Sequence, residues 1–166
     1  MATVKSTWIT NATATPKVAT NAAASAGRLM EAVGVATVSA TQASGDIVRF
    51  VRVPSNARIS EVLLTTGDAT TAGNISIGVY QTDDNGGAVV DADLFASALA
   101  LTGGPFVNSD QTFESGEYTY AESAKPLWEA LGLSADPGRE YDICATVTTT
   151  FDAADTVQVL KVRYAV

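Results

Sequence analysis

The chain offers carboxylates in quantity and little else with which to do chemistry. Eighteen Asp and Glu stand against ten Lys and Arg, with no histidine and one cysteine, Cys144. Without histidine the ordinary Ser-His and Cys-His nucleophiles cannot be built, and nothing near Cys144 in the sequence would activate its thiol. No G-x-S-x-G, P-loop or G-x-G-x-x-G run occurs. Asp91 with Asp93, or Glu114 with Glu117, have the residue types of a glycosidase pair. Pairs can be drawn from eighteen acids in many ways, however, so we assign no catalytic residue and no cofactor. The run Asp83-Asp84-Asn85-Gly86-Gly87 has the composition of a calcium loop without the D-x-[DN]-x-[DN]-G spacing or the distant Glu, and reads as a tight turn. Cysteine and histidine zinc sites are excluded by the same inventory, and no metal site is assigned. Cys144 is expected to be a small core residue.

Binding is better supplied than catalysis. The formal net charge of −8 is unevenly spread: residues 1–28 hold Lys5, Lys17 and Arg28 and no acid, a net +3, which leaves seven bases against eighteen acids, −11, in the rest. An acidic body argues against nucleic acid, whose phosphates need clustered Lys and Arg. Residues 2–27 are mostly Ala, Thr, Asn and Ser, with Val4, Trp8, Ile9 and Val18 as the larger apolar groups, too few to fold alone. We read 1–27 as an extended arm, either a loose terminus or a segment that orders on a partner through Lys5, Trp8, Ile9 and Lys17, since Trp is favoured at interface anchor points. The remainder, 28–166, is one domain. No run approaches the 18 apolar residues of a membrane helix, and no basic-then-apolar leader opens the chain, so folding in the cytoplasm of its maker is expected, with no membrane partner.

The domain that carries these residues reads as β throughout. Asn74–Tyr80 alternates strictly, with Ile75, Ile77 and Val79 on one parity, which predicts a strand with one face on a core and one open. Arg58–Thr65 precedes it across a glycine-bearing loop, as a hairpin or a sheet-crossing arch. Leu29–Val38 and Asp46–Val53 are earlier strands, the second covered on much of both faces and stopped by Pro54. Tyr141–Thr148 alternates again. Thr156–Tyr164 starts with Val157 and Val159 on one parity and continues with Leu160, Val162 and Tyr164 on the other, which predicts a β-bulge near Val159–Leu160. Two short helices are expected. Asp91–Leu101 would bring Phe95, Ala98 and Leu99 to one side. Pro126–Leu131 would put Leu127, Trp128 and Leu131 inward and end at Gly132. Seven or eight strands predict an all-β, two-sheet antiparallel sandwich with jelly-roll connections.

Gly45-Asp46 leading into a strand, Pro54, Arg58-Ile59, Gly78-Val79-Tyr80, Asp93-Leu94-Phe95-Ala96, and Tyr141-Asp142-Ile143 before a valine-rich C-terminal strand together resemble the small jelly-roll head proteins of tailed bacteriophages. The resemblance spans about residues 45–165 and rests on short motifs. It implies a cement, or decoration, protein on the outside of the virion's capsid. Such a protein clamps neighbouring subunits of the major capsid protein and acts as a homo-dimer or homo-trimer. It carries over no catalytic residue. The competing expectations are another virion part, such as a head fibre or tail protein, and a carbohydrate- or receptor-binding sandwich. The last would need Trp128, Tyr118 and Tyr120 as an exposed stacking platform, against the plainer placement of Trp128 in the core beside Leu127 and Leu131.

Overall fold

A computed structural model describes residues 5–19, 27–38, 42–67, 72–151 and 156–166. Eight strands form in chain order: β1 Leu29–Val38, β2 Ile47–Pro54, β3 Arg58–Thr66, β4 Asn74–Gln81, β5 Val89–Ala100, β6 Phe106–Asp110, β7 Glu140–Thr149 and β8 Thr156–Ala165. They make two antiparallel four-stranded sheets, ordered β1-β8-β3-β6 (sheet 1) and β2-β7-β4-β5 (sheet 2). Every connection passes from one sheet to the other except the β4–β5 hairpin. That is the interlocked double Greek key of an eight-stranded jelly roll. The β3–β4 connection is therefore an arch between sheets.

Alternating inward residues of both sheets fill the space between them. Ile59, Val62 and Leu64 of β3 and Leu160 and Val162 of β8 meet Ile75, Ile77 and Val79 of β4 and Ile143, Ala145 and Val147 of β7, all within 1% of full burial. Full burial of a Val, Leu or Ile side chain is worth about 1.5–3 kcal/mol, so this layer is the fold's main source of stability.

At Gly34 the two sheets come together along one side: a Cβ there would lie 2.3 Å from the Phe50 carbonyl oxygen, at the point where the β2–β7 register slips between Arg49 and Val51. Only glycine lets the backbones of β1 and β2 approach so closely.

Three expectations from the sequence are corrected. The first concerns Asp91–Leu101, which is the strand β5 and no helix. Between Ile77↔Ala96 and Val79↔Asp91, two residue steps on β4 face five on β5, so β5 buckles. The buckle brings Asp91 and Ala92 over Gly78, where a Cβ would lie 2.1 Å from the Asp91 carbonyl oxygen. Hence the second correction: β4 is not open on one face, and Ser76, Gly78 and Tyr80 are buried along with the isoleucines they alternate with.

The third correction concerns β8, which pairs with β1 in unbroken register from Val38↔Thr156 to Leu29↔Ala165 and has no bulge at Val159–Leu160. Its even residues face the core from Gln158 onward, and Val157 and Val159 point outward. The irregularity lies on the neighbouring strand, between Ile59 and Glu61 of β3.

Two short α-helices are present among the described residues. Leu127–Ala130 (α2) is where the sequence places one, with Pro126 at its N-cap and Gly132 at φ +74° just beyond its end. The N–H groups of Leu127 and Trp128 donate to Ala57 O and Ser55 O, which fastens α2 to the β2–β3 turn. The other is α1, Thr7–Thr13, so the arm is not extended throughout. Asp83–Asn85 is a 3-10 turn closed by Gly86 and Gly87 at positive φ, as the residue types suggest.

Candidate interaction surfaces

The arm residues occupy one short folded unit. Ser6 caps α1 by accepting from the Ile9 N–H at 3.3 Å, and the Val18 N–H donates back to Asn11 O at 3.3 Å, so the chain returns past the helix. Lys5 and Lys17 are exposed on either side of it, with Ile9 40% and Val18 52% exposed. Trp8 lies within α1, and its side chain falls outside the described part. A unit of seven helical residues is too short to hold itself by helix formation alone. Ile9 and Val18 point to solvent.

The carboxylates are gathered differently from the sequence pairs. Asp91 and Asp93 do stand together, but their third member is Glu117, with a ligand oxygen from each within 4.8 Å of the others. The negative charges of Asp91 and Asp93 raise the Glu117 pKa from its ordinary value. Glu114 is not paired with Glu117; it accepts from the Ser97 N–H at 2.8 Å. The group has the oxygen chemistry to take a hard cation or to share a proton. It lies on the β5 buckle and the loop after β6.

The aromatic platform required of a glycan-binding module is not assembled. Tyr118 is buried, donates to Ile59 O at 2.9 Å and meets Phe95 edge-on at 5.1 Å. Burial pushes its phenol pKa well above 10. Tyr120 is 81% exposed and leans on Phe113 at 4.7 Å, beside a shallow hollow of about 320 Å³. Trp128 is half-buried outside the central cluster that takes in Leu127, so the core placement is only partly met.

On the outer face of sheet 2, Asp142 is buried between Arg49 at 3.0 Å and Arg52 at 2.7 Å. Arg49 is held further by Asp83, Gln81 O and Gly87 O. With its donors directed inward this cluster fastens the β4–β5 turn to β2 and β7. Cys144 lies on the same side of β7, buried as expected though away from the central core, and burial pushes its thiol up to about 12.

The outer face of sheet 1 is the surface that the sequence reading missed. Glu31, Arg163 and Glu61 run across β1, β8 and β3, with Arg163 2.7 Å from each carboxylate. The next rows are Val33, Lys161 and Leu63, then Val35, Val159 and Thr65, then Thr37 and Val157. Leu29, Val33, Val35 and Val157 are 68, 52, 67 and 50% exposed. The signal for it was Gly34 and Ala36 alternating with Val33 and Val35: small residues go where the sheets close, valines outward.

No protein-family model matches the chain, and no curated protein sequence matches it. Among solved structures, a chain described as "Cyanophage Pam1 capsid asymmetric unit" superposes with a TM-score of 0.54 at 16% identity, over 84% of this chain and 86% of that one. A chain of "Capsid of Ralstonia phage GP4" superposes with a TM-score of 0.45 at 15% identity, over 83% of this chain and 84% of that one. At such identities the likeness to the Pam1 chain is one of fold, and it runs through nearly the whole of both chains.

Proposed function

We propose that this chain is a structural protein of a bacteriophage head that binds the outer surface of the capsid and stabilises it by clamping neighbouring major-capsid subunits. The observation that carries the reading is the near full-length likeness of the jelly roll to a chain of a phage capsid. The resemblance of short sequence motifs to phage head proteins points the same way. A jelly roll hosts many functions, so fold alone does not decide the matter. The side chains add support: an exposed basic arm on an acidic body and an apolar outer sheet face are features for contact. Many copies bound to the intact shell would stabilise it by mass action, because they prefer the assembled lattice to free subunits.

The test uses heads assembled without this protein. Purified chain added to them is expected to co-sediment in hundreds of copies and to raise the temperature at which packaged DNA is released. Equal DNA-release temperatures for decorated and undecorated heads would rule out the clamping role. Failure to co-sediment would rule out attachment altogether.

A further inference from the structure

We infer that the outer face of sheet 1, across β1, β8 and β3, is the surface through which two copies of this chain pack face to face. Three observations carry it.

The first is the apolar character of the face. Val33, Val35 and Val157 are at least half exposed and lie in adjoining rows with Val159 and Leu63, which makes an apolar surface where solvated faces ordinarily alternate polar residues. Ten residues of strand by three strands is roughly 33 Å by 14 Å, which over two copies approaches the ~1,000 Å² that a specific interface needs.

The second is charge. The chain as a whole carries −8, so two copies repel in most orientations. Apart from Arg58, which is half-buried at the start of β3 and donates to Ser123 O, the charges on these three strands are Glu31, Glu61, Lys161 and Arg163, two of each sign, so equal acidic bodies can meet here.

The third is Lys161. Set between Val33 and Leu63, it makes no ion pair among the described residues, whereas Arg163 two positions on is bonded to both Glu31 and Glu61. Facing a second copy about a two-fold axis, its ammonium meets a surface that carries those same carboxylates. A self-complementary patch of this kind is what an isologous contact requires.

The inference does not depend on the capsid reading, because the purified chain alone tests it. Sedimentation equilibrium is expected to give twice 17.1 kDa for the full chain. Association should tighten as salt is raised, since screening relieves the repulsion between acidic bodies and leaves the apolar contact. The double substitution V33E/V35E, at two exposed positions, is expected to weaken association by about 100-fold or more with an unchanged circular dichroism spectrum. Lys161→Glu, which turns a balanced face into a net −2 one, should weaken it with the fold likewise intact. A wild-type mass of 17.1 kDa at about 100 µM would overturn the inference, as would a dimer that V33E/V35E leaves intact. Should the chain be monomeric and V33E/V35E abolish binding to heads instead, the face belongs to the capsid and the inference fails while the proposed function stands.

Discussion

Gln158 shows how one residue can be out of keeping with its surroundings. It sits on the core face of β8 at 0% exposure, and neither its amide nitrogen nor its oxygen has a hydrogen-bond partner among the described residues. Burying an amide without partners costs roughly 1–3 kcal/mol on mutational scales. Gln158→Met, of similar length and without the polar atoms, is therefore expected to stabilise the fold by about 1–2 kcal/mol, read as a shift of the denaturant midpoint at constant slope. A loss of stability would mean that the amide is satisfied in solution. Cys144 gives a prediction of the opposite kind, in alkali. Its thiol, held by burial at about 12 in the folded chain against 9.0 when free, must keep its proton while the unfolded chain gives it up. Stability from this source is complete below pH 9 and declines as pH rises toward 12, by about 1.4 kcal/mol for each unit between. Cys144→Ala should flatten that decline. Ellman's reagent should find no reactive thiol until denaturant is added.

Among the elements, the lesson lies in which strands the sequence made legible. β4 and β7 keep period two from end to end, and reading Ile75, Ile77 and Val79 as inward was right. What alternation could not convey was the covering of the other face, because the cover is the β5 buckle, made by residues that follow Gly78 in the chain by more than a dozen positions. Within β5 the extra residues reset the parity, so that Leu94, Phe95 and Ala96 are buried in succession. A parity reset twice in ten residues imitates helical spacing. For β8 the error was different: a bulge was invoked to bring Val157 and Val159 to the same face as Leu160, Val162 and Tyr164, whereas the unbroken register points the first two outward and leaves the other three in the core. Little of the site was read from the sequence: the alternation of Gly34 and Ala36 with Val33 and Val35 marks two faces of β1, but which of them turns outward follows from where β1 lies in the sheet. The buckle makes its own prediction. Gly78→Ala places a methyl 2.1 Å from the backbone of Asp91, which no side-chain rotation can relieve. We expect a loss of about 3 kcal/mol or more, at or beyond the upper end for overpacking, and faster hydrogen exchange in β5. Gly86→Ala, with nothing near its Cβ but a φ of +93°, should cost only about 1–2 kcal/mol from backbone strain.

For the molecule as a whole, the question is what the arm adds to a body that is already complete. The two sheets close around one core with no contribution from residues 5–19 to its central cluster, and Ile9 and Val18 face solvent. Removing residues 1–27 should therefore leave the melting temperature of the jelly roll within a degree or two, as surface changes of small free energy do. Attachment is another matter. The arm holds +3 with Arg28 while the rest holds −11, so it is the part able to approach an acidic outer surface without repulsion. Charge alone would give a contact that salt screens beyond about 8 Å at physiological strength. Burial of Trp8 and Ile9 on a partner would add about 1.5–3 kcal/mol each, set against the cost of ordering the segment. We expect the truncated chain to bind heads at least about tenfold more weakly, and Trp8→Ala to reproduce much of the loss. Lys5→Ala with Lys17→Ala should reduce the salt dependence of binding more than its strength at high salt. The free protein should remain a dimer in all of these variants, because the sheet 1 face is intact in each. Co-sedimentation with heads across a salt series separates the possibilities. Undiminished binding by the truncated chain at every salt concentration would assign the whole contact to the body and leave the arm without a part in it.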